Sequence, residues 1–334
     1  MASLLVPALL FVISLAVLLE SSNVFVGAAE EVGIALGISP FVLGATVVAG
    51  GTSLPELVSG VFAVLQGAPT IVVGNVVGSN VANICLVLGL SAVVSGRITV
   101  GRDLERVDLP LLIGSATFLA IAAWDGHFEW YEGVLGLAGA VLYAHFAFSD
   151  RSRLDEVVEE IVEAHAEDPE KGADAPATPS AEVSASIDVR VVARFVGGLA
   201  LVLLAADLLV SAVIDVSAAL NVSAAFVALT AVSIGTSLPE IAVSVAAVRG
   251  GDADVAVGNV LGSNIVNTFA VIGVPSLIRP LTVPVGVLTY ALPVMIATTL
   301  LYYFVTENRE ITRWEGGAVL LVYAVFLINL PQFV

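Results

Sequence analysis

Two blocks of this 334-residue sequence occur twice. GGTSLPELVSG (50–60) returns as IGTSLPEIAVS (234–244), and GNVVGSNVANI (74–84) returns as GNVLGSNIVNT (258–268). Gly51 pairs with Gly235, Glu56 with Glu240, Gly74 with Gly258, Ser79 with Ser263 and Asn83 with Asn267, each pair 184 positions apart. Chance does not give both blocks at one register, so the halves are duplicates. Each half reads as five apolar runs: 4–20, 40–65, 70–95, 108–124 and 133–148, then 191–214, 224–248, 254–278, 284–305 and 315–331. A membrane-spanning helix takes about 20 apolar residues. Five is odd, so duplicated halves must insert with opposite orientation. The expected fold is an all-α membrane protein, with ten transmembrane helices in two inverted-topology repeats of five. Repeat 1 occupies 1–148 (spans 1–5) and repeat 2 occupies 189–334 (spans 6–10).

Composition supports this reading. Hydrophobic residues are 58% of the chain and charged residues 13%, about half the charged share of a soluble domain. A soluble enzyme or binding module is excluded first. Thirty acids against 12 bases leave a net charge of −18, which speaks against nucleic acid, because phosphate neutralisation needs a basic surface. The bases are Arg apart from Lys171, a usage that suits either work in high salt or a GC-rich genome. The single cysteine, Cys85, allows no intrachain disulfide and reads as a buried small hydrophobe. Met1-Ala2-Ser3 carries no basic start of a cleavable signal.

The acidic loop 149–188 joins the repeats. Its LDEVVEEIVEAH segment puts Leu154, Val157, Val158, Ile161 and Val162 on one helical face. The following EDPEKGADAPATPSAE reads as disordered linker. With ten spans both termini share one side. Arg97, Arg102, Arg106, Arg151, Arg153, Lys171, Arg190, Arg194, Arg249, Arg309 and Arg313 fall on the other, and Arg279 alone falls with the termini. The positive-inside rule then makes the loop cytoplasmic and the termini extracellular, in a multi-pass protein of the cell membrane.

Inverted repeats broken by Gly and Pro at matching positions point to a transport site near the membrane midplane. Glu56 and Glu240 sit deep in apolar runs, where a carboxylate costs about 2.5–3.5 kcal/mol. A lone glutamate could be protonated helix glue, but two in identical surroundings of inverted halves meet at the centre and demand cations. Pro55 and Pro239 lack the N–H that would bond the carbonyls of Gly51 and Gly235. Backbone oxygens around Thr52 and Thr236 are thereby freed, beyond what a plain proline kink explains. Asn75, Ser79 and Asn83 share one helix face, as do Asn259, Ser263 and Asn267. Helix–helix hydrogen bonding is the competing reading for these, strongest for Asn75, Asn80, Asn259 and Asn264, with Gly74 and Gly78 as a packing face. The donors are all oxygen, which suits calcium and sodium and disfavours zinc and copper. His127, His145 and His165 form no ligand pattern.

At these residues the sequence resembles the cation/calcium antiporter superfamily, in particular the prokaryotic sodium/calcium exchangers, whose paired alpha repeats match the GTSLPE and GNVxGSN blocks. The GNxxE block usual in vacuolar proton-coupled exchangers is absent. The resemblance implies a ten-helix fold in which spans 2, 3, 7 and 8 enclose four cation positions. It implies Glu56 and Glu240 as shared calcium and sodium ligands, with carbonyls of Thr52 and Thr236. Ser53, Ser79, Ser237 and Ser263 would line outer sodium positions, with carbonyls near Ala49 and Ser233, and Asn83 and Asn267 would flank the centre. Some relatives carry Asp at position 267; Asn lowers the charge by one and argues against a potassium requirement. The implied activity is antiport of calcium for sodium by alternating access, with spans 1 and 6 sliding across the other eight. No cofactor, no enzymatic activity and no obligatory protein partner are expected beyond the ions and the bilayer.

Three rivals remain open. A cation channel would use the same oxygens without needing inverted halves, a proton-coupled or other divalent antiporter would share the fold, and an intramembrane aspartyl protease would need Asp pairs. One expectation concerns the loop. Replacing residues 166–186 with a Gly/Ser linker should leave exchange rates within a few-fold of wild type, measured as calcium-45 flux in vesicles; lost flux in a correctly inserted protein would give the loop a working role.

Overall fold

The computed structural model describes residues 2–35, 51–99, 108–146, 189–251, 253–307 and 309–333. The start of the expected second span, Ala49 and the whole 149–188 loop with its 154–165 segment lie outside these residues.

Apolar composition and helical backbone coincide throughout. The helices are α1 (Ala2–Ala35), α2 (Leu54–Leu65), α3 (Thr70–Ser95), α4 (Asp108–Ala122), α5 (130–146), α6 (Val189–Leu220), α7 (Ala224–Gly250), α8 (Ala253–Ile278), α9 (Val287–Thr306) and α10 (Arg313–Asn329). Among the described residues, seven helical stretches are long and apolar enough to cross a membrane, in α1, α3 and α6–α10; Leu54–Leu65 and Asp108–Ala122 are shorter apolar helices. Trp124 and Trp314, 80% and 85% exposed, lie next to the turns at opposite ends of α4 and α10, where interfacial aromatics sit.

Layering follows from exposure. In the most apolar window of α3, 94% of residues are buried, and in that of α8, 78%; in α1 the share is 17%. So α3 and α8 form the interior and α1 faces outward. Close backbone approach makes this interior possible. A methyl added at Gly74 would meet the Ala225 carbonyl at 2.8 Å, and one at Gly78 the Leu229 carbonyl at 2.7 Å. These small residues let α3 lie directly on the start of α7.

α1 and α6 are longer than the apolar runs 4–20 and 191–214 suggested. They hold 34 and 32 residues, about 50 Å each at 1.5 Å per residue. Polar residues do not stop them: several are satisfied inside the helix or against a neighbour, although the buried Ser22 Oγ of α1 has no hydrogen-bond partner among the described residues. Ser21 donates to the Leu18 carbonyl (3.2 Å) and Ser217 to that of Ile214 (2.8 Å). Asp207 of α6 accepts from Gln66 Nε2 at the end of α2 (2.8 Å). The two long helices pack on each other, with Phe25 of α1 against Phe195 and Gly198 of α6. Glu31 and Arg194 join them at one end, 2.7 Å apart and half exposed, a pair worth little by itself.

Two short antiparallel ladders tie the halves together. β1 (Arg97–Thr99) pairs with β4 (Glu310–Thr312), and β2 (His127–Phe128) with β3 (Leu281–Thr282). Adding 184 to 97–99 gives 281–283, and adding 184 to 127–128 gives 311–312. The duplication therefore carries one ladder onto the other. Gly89 of α3 abuts the Gly316 carbonyl of α10, with its added methyl at 3.0 Å, and Gly273 of α8 abuts that of Gly133 in α5 at 3.1 Å. Each half thus packs its central helix against the last helix of the other. α10 starts from β4 with a capping box: Thr312 accepts from the Glu315 N–H while Glu315 accepts from the Thr312 N–H.

The glycine contacts give a direct test. Gly74→Ala should destabilise by about 1–3 kcal/mol through overpacking, read as a lower melting temperature in detergent. Gly114→Ala, at an exposed position with no atom within 4 Å of the added methyl, should be neutral or stabilising by up to about 1 kcal/mol, since alanine is the better helix former.

Candidate cation site

Both GTSLPE motifs fold into the same local structure. Ser53 (φ −87°, ψ 4°) and Ser237 (φ −82°, ψ 3°) step out of helical geometry, and a new helix begins at Leu54 and at Leu238. Pro55 and Pro239 fall in the first turn of these helices, where a missing N–H is harmless. Glu56 and Glu240 fall in the same turn, and the N-terminal end of the helix dipole favours a negative group there. Before the break α7 contains a π-helical segment, Ala228–Val232. Its counterpart 184 positions earlier lies outside the described residues.

The second motif also keeps its symmetry. α3 and α8 each pass into a π-helical turn at the repeated asparagine, Asn83–Leu88 and Asn267–Val271. Such turns shift side chains off the regular helical face and cluster at functional sites. The two helices are joined by reciprocal amide bonds: Asn80 Nδ2 donates to the Asn264 carbonyl (3.4 Å), and Asn264 Nδ2 donates to that of Asn80 (3.3 Å).

These elements meet at the two glutamates. Glu56 is 1% exposed and Glu240 0%, and the two are close enough to repel each other electrostatically. Thr236 is the hydroxyl beside Glu56, while Thr52 and Ser263 are beside Glu240, so each carboxylate has a threonine hydroxyl from the opposite repeat and Glu240 also a serine from its own. Yet among the described residues all four carboxylate oxygens lack a well-formed hydrogen bond, and so do Ser53 Oγ, Ser237 Oγ, Asn83 Oδ1 and both amide atoms of Asn267. Buried polar atoms are ordinarily satisfied, and a buried unpaired charge is costly. A constellation of oxygens left unpaired suits a hard cation.

The remaining expected residues take varied places. Thr52 Oγ1 lies 3.4 Å from Ser263 Oγ, a contact between repeats. The buried Ser79 and Thr236 both direct their hydroxyls to Asn75 Oδ1 at 3.5 Å, and Thr236 also donates to the Val232 carbonyl. Ser233 turns its hydroxyl back to the Leu229 carbonyl (2.8 Å), and its own carbonyl accepts from the Ser237 N–H (3.2 Å). Its side chain also lies against Gly78 of α3. Ala49 lies outside the described residues. Asn259 donates to the Glu240 carbonyl (3.3 Å) and to Ser244 Oγ (3.0 Å), buttressing the helix that carries Glu240. Sequence reading left Asn80 and Asn264 open between helix packing and the site, and gave Thr268 no role. Their contacts run between helices of different repeats, which spacing along one helix does not reveal.

A membrane protein whose duplicated halves place two buried carboxylates among hydroxyl and amide oxygens belongs to the class of cation carriers. The chain matches the family model of the sodium/calcium exchanger protein over residues 6–149 and 190–330, and it belongs to that family. It is 31% identical to the sodium/calcium exchanger MaX1 of Methanosarcina acetivorans, over 96% of this chain and 97% of that protein. The inner membrane protein YrbG of Escherichia coli is 31% identical over 95% and 94%. The fold of this chain is similar to that of the sodium–calcium exchanger NCX_Mj soaked with sodium and no calcium, at 30% identity and a TM-score of 0.63 over 98% and 99% of the two chains.

Removing one carboxylate should be severe and nearly symmetric. Glu56→Gln keeps shape but leaves a divalent ion with an uncompensated charge, at a cost of several kcal/mol typical of halving a buried ion pair. About 3 kcal/mol is about 150-fold in affinity. Glu240→Gln should match it within about tenfold. Equilibrium calcium-45 binding to the purified variants measures both, and wild-type affinity in either would mean that the carboxylates do not share the ion.

Proposed function

We propose that this chain is a secondary active antiporter that exchanges calcium for sodium across the membrane by alternating access. The observation that carries it is the pair Glu56 and Glu240, buried side by side from the two repeats among oxygens without hydrogen-bond partners. Membership of the exchanger family supports the choice of ions.

The proposed arrangement is ten crossings in two inverted repeats, with the 149–188 loop cytoplasmic and both termini outside. The ladders support an even crossing count: six helices lie between β1 and β4, and four between β2 and β3. If each crosses once, paired strands share a side. Arg97, Arg309 and Arg313 gather at the β1/β4 end and Arg279 lies beside β3, which supports placing the former in the cytoplasm.

Glu56 and Glu240 serve as ligands shared by calcium and sodium. Carbonyls of Thr52 and Thr236 assist, along with the oxygens of Ser53, Ser79, Ser237, Ser263, Asn83 and Asn267 and carbonyls near Ala49 and Ser233. Without a cation the two carboxylates repel each other and are costly to move through a low-dielectric interior. A cation-filled site is neutralised and can change its accessible side. Calcium and sodium therefore compete, and each crosses in its own half-cycle. α1 is placed to act as the moving cover, because Val26 and Leu15 of this one helix touch Gly51 and Gly235, one at each helix break. Sliding of the α1–α6 pair over these glycines would open one side while closing the other. Exchange that moves net charge then responds to voltage at about 2.3 kcal/mol per charge per 100 mV.

Calcium-45 uptake into proteoliposomes tests this. An outward sodium gradient should drive uptake, with potassium or a proton gradient ineffective in its place. Uptake that follows the proton gradient and ignores sodium would reassign the chain to proton-coupled antiport.

A further inference from the structure

We infer that Asn264 is a positioning residue for the cation site: it holds the amide of Asn83 in the one orientation that leaves the Asn83 oxygen free for a cation. This rests on the exchanger reading above and deepens it. Asn83 Nδ2 donates to Asn264 Oδ1 at 3.0 Å across the boundary between repeats. Asn264 cannot turn its own amide over without loss, because its Nδ2 donates to the Asn80 carbonyl. With its nitrogen committed, Asn83 keeps a buried Oδ1 that has no hydrogen-bond partner among the described residues. An asparagine amide is nearly symmetric in shape but not in charge: one face accepts, the other donates. Turned over, it would aim N–H groups at a cation.

The other half lacks this restraint. The equivalent bond would run from Asn267 Nδ2 to Asn80 Oδ1, and both atoms are buried without partners. Asn80 instead donates its amide to Thr268 Oγ1 at 2.8 Å. The position matching Thr268 in the first repeat is Ile84, which has no hydroxyl to compete for Asn264. One asparagine is thus fixed as an oxygen donor, and Asn267 is left to turn.

A double-mutant cycle in the purified full-length protein, read by equilibrium calcium-45 binding, tests the assignment. Asn264→Leu should weaken calcium binding about five- to tenfold, the scale of one well-placed hydrogen bond. In an Asn83→Ala background, where no amide needs orienting, the same change should alter affinity by less than about twofold. Asn264→Ser, which shortens the side chain and withdraws the acceptor, is carried alongside and judged by the same cycle should the leucine variant fail to fold. Melting temperatures without calcium read the separate role in joining α3 to α8 and should fall in both backgrounds. Equal losses of affinity in both backgrounds, or no loss in the first, would overturn the inference and leave the exchanger reading standing. Wild-type protein that binds no calcium sensitive to Glu56→Gln would overturn both.

Discussion

Two carboxylates buried side by side in a membrane interior set the terms for everything around them. Among the described residues, neither Glu56 nor Glu240 has a well-formed hydrogen bond to stabilise its charge. Helix termini help at the margin, since each acid occupies the first turn of its helix. The remaining demand falls on a cation. The serines at both breaks and the repeated asparagines are arranged with the same bias, offering oxygen at buried positions.

Holding such a pair together requires two halves that cannot drift apart. The packing achieves this by exchange. Each repeat packs its central helix on the last helix of the other, through Gly89 with Gly316 and Gly273 with Gly133, and lends a strand to a ladder completed by the other. The reciprocal Asn80–Asn264 bonds add a polar lock in the middle. In a lipid-facing protein small residues and hydrogen bonds, rather than apolar burial alone, hold helices together. By contrast, α1 and α6 pack on each other along great length, and α1 meets the breaks through Val26 and Leu15. That division sets an interlaced core apart from the long α1–α6 pair, which in the proposed mechanism slides against it.

Symmetry is close but incomplete, and its lapses carry information. Ser53 and Ser237 share a backbone conformation to within a few degrees, and both π-helical turns start at the repeated asparagine. Yet Ser79 faces Asn75 while Ser263 faces Thr52, and Thr268 draws Asn80 away from a bond that Asn264 makes. In the proposed mechanism, ions of different charge compete for the two carboxylates, which gives a reason for the two halves to be unequal. The sequence differences behind this, Ile84 against Thr268 among them, are single substitutions within otherwise matching blocks.

The sequence by itself determined the duplication, the membrane setting and the two glutamates, because each is written in local order: apolar run length, a repeated motif and a charge where charge is costly. It also marked both helix breaks, since a proline's missing N–H acts four residues back along the same chain. It fell short on α1 and α6, which continue past the apolar runs 4–20 and 191–214, with Ser21 and Ser217 bonded back within their own helices. Nor could it show that Ser233 turns its hydroxyl into its own helix, or that Asn264 reaches Asn83. Those outcomes belonged to the tertiary structure alone, because a side-chain amide or hydroxyl takes the nearest partner in space, and for residues 181 positions apart that partner is set by how the two halves interlock.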